Sequence, residues 1–218
     1  MAVDVEVNIT PTFKEKLPDE TSTAKQLGVW EKVRLVSRTP DIKRQEVAEI
    51  GGCRFVKDVL VSVDFDLEYF IASDFNSNII DATNASNKQL ANFWRGLLLK
   101  IKSHAKEHYD QFENVITDWK ADIKGDLAKT LPTDAKRTSL PEAKIKEGIG
   151  ILVSDWLVEL EFRLRKTAFD WEEKDYPKIE EQMKKGGAFL PNGLPRPPKP
   201  GKASKRRTVT FPPCKPGK

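Results

Sequence analysis

The two histidines of the chain, His104 and His108, stand four residues apart within a segment whose apolar residues follow helical spacing. Residues with this spacing lie one above the other on one face of a helix, so both imidazole rings can reach a single ion. Glu107 lies between them. Imidazole nitrogens and carboxylate oxygens are zinc ligands in proteins, which makes His104, Glu107 and His108 candidates for a metal site.

The five residues from 104 to 108 read H-x-x-E-H, which resembles the signature of the inverted-zincin metalloproteases. The resemblance implies that His104 and His108 are zinc ligands, that Glu107 is the base that deprotonates a metal-bound water, and that an acidic third ligand lies far downstream. A zinc-dependent hydrolase is therefore one hypothesis. We favour a structural interpretation, in which both histidines are boundary residues at the edge of an apolar helix stripe. On that interpretation no cofactor is expected and none of these three residues is a metal ligand.

The charge of the chain changes abruptly near residue 184. Residues 184–218 carry ten Lys or Arg and no acidic residue, whereas residues 1–183 hold all 33 acidic residues, and the net charge of the whole chain is only +4. Residues 187–218 also hold eight of the 14 prolines. This composition is typical of an extended or disordered segment, and its charge predicts binding to an acidic or extended partner.

The candidate partner-binding residues of this basic segment are Lys199, Lys202, Lys205, Arg206, Arg207, Val209 and Phe211. The basic members are suited to phosphate pairing, which predicts salt-sensitive nucleic-acid binding without sequence specificity. Residues 205–211 also resemble the short motif by which regulators dock on protein phosphatase 1, basic residues followed by Val-x-Phe. That resemblance implies that Val209 and Phe211 fill two pockets on a partner. Residues 195–200 fit a polyproline II ligand. On charge and extendedness alone, phosphate binding and an arm that threads into neighbours of an assembly fit equally well.

The two cysteines, Cys53 and Cys214, predict no disulfide framework and indicate a reducing compartment. The first ten residues carry acidic side chains where a signal peptide needs basic ones, and the longest apolar runs are too short to span a bilayer. We therefore expect a soluble protein without a membrane partner, located in the cytoplasm or in an assembly made inside a cell.

Alternating apolar residues predict strands in the first third of the chain. The clearest strand is 59–71, with apolar side chains on one face and Asp64, Asp66 and Glu68 on the other, as in an antiparallel sheet that is wet on one side. Further strands are predicted at 3–9 and 29–37. Residues 41–50 are ambiguous, and Gly51 and Gly52 form a turn.

Helical spacing begins at Ser86, a candidate N-cap, and predicts one helix over 86–124 that Gly125 and Pro132 end. Residues 142–171 fit a helix face, yet every second residue from Trp156 to Leu164 also shares a strand phase. Length and the ion pairs at i, i+4 spacing favour a helix. A short separate helix is predicted from Pro177 to Lys185.

These elements predict an α+β fold, with an N-terminal antiparallel sheet, a long α-helical hairpin and a disordered or extended C-terminal tail. The predicted regions are 1–82, mostly β; 83–186, the long helices; and 187–218, the basic tail. The function predicted from helix length and charge separation is a non-enzymatic assembly or adaptor protein. It would dock on a protein partner or on itself through an amphipathic helix and the basic arm. The first alternative is a nucleic-acid-associated protein that binds phosphates through the tail, and the zinc-dependent hydrolase ranks after it.

Overall fold

The computed structural model describes residues 2–14, 31–37, 40–71, 74–185 and 199–214, and its fold is α+β as predicted. The described strands are β1 (Ala2–Lys14), β2 (Glu31–Ser37), β3 (Asp41–Ile50) and β4 (Cys53–Ile71). The described helices are α1 (Asp74–Asn84), α2 (Lys88–Thr130) and α3 (Glu142–Lys185). Residues 29–30 of the second predicted strand, and residues 187–198 and 215–218 of the predicted tail, lie outside the described residues.

The long strand β4 is the centre of the sheet. β3 and then β2 pair with one edge of β4 in antiparallel register, and β1 pairs with the other edge in parallel register, with Ala2 opposite Asp58 and Lys14 opposite Phe70. The parallel pairing of β1 departs from the antiparallel arrangement expected from the sequence. Alternation places side chains on the same faces whichever way a strand runs, so it carries no information on strand direction.

The turn at Gly51 and Gly52 joins β3 to β4, as predicted. Both residues have a positive φ, 60° and 73°, which glycine adopts without the steric cost that other residues meet. The strand β3 was ambiguous in sequence because its register shifts between Ile42 and Arg44 and again between Glu46 and Val47. Each irregularity breaks the period of two on which strand prediction depends.

The first long helix begins two residues later than predicted, at Lys88, and ends six residues later, at Thr130. Asn87, rather than Ser86, is the N-cap, because its side-chain oxygen accepts the hydrogen bond that the Leu90 amide donates at 3.1 Å. Ser86 instead has a positive φ of 59° in the turn before it. The helix continues through Gly125, which was expected to end it, and stops at Thr130, before Pro132.

The ambiguous segment 142–171 is helical and belongs to α3, which continues through Pro177 to Lys185. Val158, which supported the strand alternative, is 47% exposed, while Trp156 and Leu160 are buried. The separate helix expected at Pro177 is the end of α3. Tyr176 and Ile179, on either side of the proline, are buried, and their burial offsets the hydrogen bond that proline cannot donate.

The apolar face of β4 packs against the helical hairpin formed by α2 and α3. We call this the sheet-side core; its buried members include Val59, Val61, Val63, Phe65, Leu67, Phe112, Ile116, Trp119, Ile123, Leu127, Ile145, Ile149, Trp156, Leu160 and Leu164. A smaller distal cluster contains Ile71, Trp94, Leu97, Ile101, Tyr176 and Ile179. On the other face of β4, Asp64 is exposed and Asp66 and Glu68 are half-buried, in agreement with the prediction that this face contacts solvent.

The hairpin is long because both of its helices are long. A helix of 43 residues, such as α2, extends about 64 Å at about 1.5 Å per residue. In the described part of the chain, none of the helices has the apolar length of a bilayer-spanning segment.

Candidate functional site: the arm-docking site and the histidine cluster

The described part of the basic tail, residues 199–214, lies as an extended segment on the body, and we call it the arm. Its apolar residues, Val209 and Phe211, are half-buried and pack against the sheet-side core. A Cβ added at Gly148 of α3 would lie 2.8 Å from Cζ of Phe211 and 3.1 Å from Cγ1 of Val209. The arm can approach α3 this closely because position 148 has no side chain.

Arg206 contacts three side chains of the hairpin. Its guanidinium lies over the Trp156 ring, 3.6 Å from the ring centroid, in a cation–π contact. Its Nε donates to Oε2 of Glu159 at 2.7 Å, and one terminal nitrogen lies 3.4 Å from Oδ2 of Asp126. The same Asp126 oxygen accepts from the Trp156 indole at 2.8 Å, which fixes the ring on which the guanidinium lies.

Arg207 makes a forked contact with Asp155, one turn along α3 from Glu159. Its Nε and Nη2 donate to Oδ1 at 2.9 and 2.6 Å, and its backbone amide donates to Oδ2 at 2.6 Å. These hydrogen bonds from Arg207 lower the pKa of Asp155, although partial burial of the carboxyl opposes them. A carboxylate that accepts this many donors favours an arginine over a lysine at position 207.

The end of the arm is tied to the loop after α2 and to the start of β4. The Thr138 hydroxyl donates to the Pro212 carbonyl at 2.7 Å, and the Cys214 amide donates to the Arg137 carbonyl at 2.7 Å. Cys214 forms a disulfide with Cys53, 161 residues away in sequence. The prediction that these cysteines do not pair is therefore wrong, since a spacing this wide gives no local signal of pairing.

The structure separates the candidate arm residues into two groups. Arg206, Arg207, Val209 and Phe211 contact the body of the same chain. Lys199, Lys202 and Lys205 are exposed. Their binding to a separate partner stays a prediction. The sequence did not identify the receiving residues, because Asp126, Asp155 and Glu159 look like ordinary solvated helix residues when read along the chain.

The second site, the histidine cluster, lies between α2 and α3 beyond the sheet-side core. His104 is 2% exposed and His108 is fully buried, so the prediction that both are boundary residues is wrong. Their rings meet edge to face, with centroids 4.7 Å apart. The buried face of α2 is wider here than its apolar residues alone indicate, because α3 covers both histidines.

His104 faces a donor and a carboxylate on α3. Its Nδ1 lies 3.2 Å from Oδ2 of Asp175 and 3.3 Å from the indole nitrogen of Trp171. In a neutral imidazole, Nδ1 either carries a proton and donates to Asp175 or lacks one and accepts from Trp171. The tautomer of His104 therefore decides which of the two hydrogen bonds forms. Burial lowers the pKa of His104, and the charge of Asp175 opposes that effect without outweighing it.

His108 is paired with a carboxyl group but not hydrogen-bonded to it. Its Nε2 lies 3.7 Å from Oε1 of Glu172, and neither ring nitrogen has a hydrogen-bond partner among the described residues. Burial lowers the pKa of His108 to about 3 and raises the pKa of Glu172 to about 7. The low-polarity surroundings thus disfavour the charged form of both groups.

Glu107 completes the cluster at its exposed edge. Ligand atoms of His104, Glu107 and Asp175 lie within 4.8 Å of one another. Asp175 and Glu172 are the acidic residues that sequence reasoning missed. A signal for them exists: two acidic residues spaced i, i+3 on the second helix of an antiparallel hairpin can face two histidines spaced i, i+4 on the first.

A shallow groove of about 450 Å³ lies at the distal end of the hairpin. Its lining residues are Asn92, Phe93, Gly96, Leu97, Lys100, Gln182 and Lys185. Lys100 donates to the Gln182 side chain, which joins α2 to α3 across this groove.

No protein-family model, curated protein or solved structure matches the chain. The arm-docking site and the histidine cluster are therefore interpreted from their own residues.

Proposed function

We propose that this chain is a non-enzymatic assembly protein that joins copies of itself by docking its C-terminal arm on a second copy. The observation that carries the proposal is the side-chain-specific recognition of the arm between Arg206 and Cys214. A solubilising tail needs no receiving surface, whereas this arm has a stacked arginine, a forked ion pair, an apolar insertion and a covalent link.

The arm-docking site has the features of a peptide-binding surface. It receives an extended segment, and alternate residues Val209 and Phe211 turn their side chains toward α3, as peptide-recognition surfaces commonly require. The acidic residues around Trp156 complement the basic arm, which supports both orientation and rapid encounter. By contrast, the apolar residues of α2 from Phe112 to Leu127 are buried in the chain's own core with side chains of β4 and α3, so the proposal rests on the arm.

Docking within one chain and docking between two chains use the same contacts. Within one chain the connection gives the arm an effective concentration on the order of millimolar. Docking between copies therefore competes best where copies are held close together, as in an assembly. The charge separation between body and arm suits this exchange, because each copy offers one donor segment and one acceptor surface.

The test uses two full-length variants, Cys53→Ser and Cys214→Ser, mixed at high concentration in a thiol–disulfide redox buffer. Neither variant can form the Cys53–Cys214 disulfide within one chain. If arms dock between copies, a covalent dimer forms, and mass spectrometry of its peptides identifies the Cys53–Cys214 link. The expected result is a strong enrichment of this link over Cys214–Cys214 and Cys53–Cys53 links.

Matched glycine variants in the accepting copy control the specificity of this link. Gly148→Ala places a methyl group against Phe211 and should suppress the link several-fold, whereas a Cβ at Gly150 meets no atom within 4 Å and Gly150→Ala should leave the link unchanged. Equal yields with both variants, or monomeric mass at every concentration with no Cys53–Cys214 link, would leave the arm as an intramolecular strap and overturn the proposal.

Nucleic-acid binding is the second candidate, and the observation in its favour is the exposure of Lys199, Lys202 and Lys205. Arg206 and Arg207 are already paired with carboxylates, which leaves less charge for phosphates. This function predicts affinity for single-stranded DNA that falls steeply between about 50 and 200 mM salt. Replacing the three lysines with Gln should abolish that binding; an unchanged affinity would exclude it.

A further inference from the structure

The histidine cluster brings metal-ligating atoms from two helices to one point. His104 and Glu107 come from α2, and Asp175 comes from α3, 71 residues beyond His104. Their ligand atoms lie within 4.8 Å of one another. Ligands bound to one zinc ion at about 2.0–2.2 Å stand about 3.4 Å apart in a tetrahedral site.

A second observation concerns His108, the buried residue next to these ligand atoms. His108 is fully buried, and neither of its ring nitrogens has a hydrogen-bond partner among the described residues. A buried polar group without a partner costs about 1–3 kcal/mol, so a fold that retains one calls for an explanation. The ring of His108 lies edge to face against that of His104, with centroids 4.7 Å apart, so this unpartnered group borders the ligand atoms of His104, Glu107 and Asp175.

We propose that His104, Glu107 and Asp175 bind a divalent transition-metal ion of the Zn²⁺ class. One imidazole and two carboxylates match the nitrogen and oxygen ligands that this class of ion takes. The site joins α2 to α3 in the half of the hairpin that lies beyond the sheet-side core. Glu107 is exposed, which gives the ion a path from solvent to the buried His104.

This site differs from the one implied by the H-x-x-E-H resemblance. There Glu107 would be a base acting on a metal-bound water, whereas here its carboxylate lies among the ligand atoms. The inference therefore requires no peptidase activity, and it is independent of arm docking.

The experiment measures Zn²⁺ binding to the full-length protein, purified without a histidine tag and freed of metal with a chelator. We expect one Zn²⁺ per chain by calorimetric titration and an increase in the unfolding temperature on binding. Asp175→Asn and Glu107→Gln should each weaken binding at least tenfold. Glu107 is exposed, so its replacement removes a ligand without disturbing the core.

The matched control is Asp170→Asn, which changes an exposed carboxylate on the same helix that pairs with Lys166. Its Zn²⁺ affinity should equal that of the unmodified protein. Absence of stoichiometric Zn²⁺ binding, or a loss of affinity no greater in Asp175→Asn and Glu107→Gln than in Asp170→Asn, would overturn the proposal.

Discussion

The two halves of the helical hairpin are built differently. The sheet-side half packs apolar side chains of α2 and α3 against β4, and the polar groups above it, around Trp156 and Arg206, are hydrogen-bonded or ion-paired. The distal half, around His104 and His108, buries two imidazoles and the carboxyl group of Glu172, with fewer apolar residues around them. Both halves belong to the same two helices, so the difference lies in what each half buries.

This contrast separates a stabilising region from a region that retains costly groups. Apolar burial contributes about 25 cal/mol per Å², whereas a buried polar atom without a partner lowers stability. The sheet-side half thus supplies most of the apolar burial that stabilises the fold. The distal half buries polar side chains, such as His108, that lower stability and that packing alone does not explain. Groups of that second kind are where a bound ligand is to be sought.

The largest expected effect is in the sheet-side core. Trp119→Ala should lower the free energy of unfolding by about 3–5 kcal/mol, because it empties a fully buried volume and removes the hydrogen bond that the indole donates to the Trp156 carbonyl at 2.9 Å. Urea unfolding measures the change. The control is Leu99→Ala in the distal half, at a side chain that is 68% exposed, with an expected change within about 0.5 kcal/mol. Similar losses in both variants would contradict the contrast.

The next effect compares the two histidines in metal-free protein. His108→Leu should raise the free energy of unfolding by about 1 kcal/mol, because it removes two buried nitrogens that lack partners. His104→Leu should lower it by about 1–3 kcal/mol, since it leaves the Asp175 carboxylate without the ring that faces it. Chemical unfolding in the presence of a chelator measures both changes. A loss of stability in His108→Leu would show that the ring nitrogens of His108 do have hydrogen-bond partners in the folded protein.

A smaller effect separates two glycines of α3. Gly150→Ala should raise the free energy of unfolding by up to about 1 kcal/mol through helix propensity. Gly148→Ala gains the same propensity but forces Phe211 away, so its net change should be lower by about 1 kcal/mol and cleavage of the arm by a protease should become faster. Identical behaviour of the two variants would mean that the arm does not rest on position 148.

The smallest effect is the pH dependence of arm docking at Asp155. Arg207 holds the pKa of this carboxyl below its usual value, so its contribution is fully present above about pH 4 and is lost as the pH falls through the lowered pKa. The NMR shift of the Arg207 amide, which donates to Asp155, should move in that acidic range. The same amide in Asp155→Asn should show no such transition; an equal transition there would assign it to another carboxyl.

The local pattern of the sequence was enough to predict the main elements. The alternation along 59–71 places the same side chains in the core that β4 buries, and Gly51 and Gly52 form the predicted turn. The long helices follow from the spacing of their apolar residues. Residues 41–50 stayed ambiguous because register shifts break the period of two in β3, and the helix boundary near Ser86 was misplaced because the chain makes a turn there.

The candidate sites were predicted only in part, because each joins residues from distant segments. The sequence identified His104, Glu107 and His108 but not Asp175, and it identified Arg206 and Arg207 but not the carboxylates that receive them. Acidic residues on an amphipathic helix look alike until the neighbouring helix decides which of them face inward.

The sequence by itself determined the periods of strand and helix, the turn at Gly51 and Gly52, and the separation of charge between body and arm. Only the tertiary structure decided that β1 runs parallel to β4, that Cys53 meets Cys214, and that Asp175 meets His104. The physical reason is range: backbone propensity and side-chain periodicity act over a few residues, whereas strand direction, disulfide pairing and ligand convergence depend on how whole elements pack.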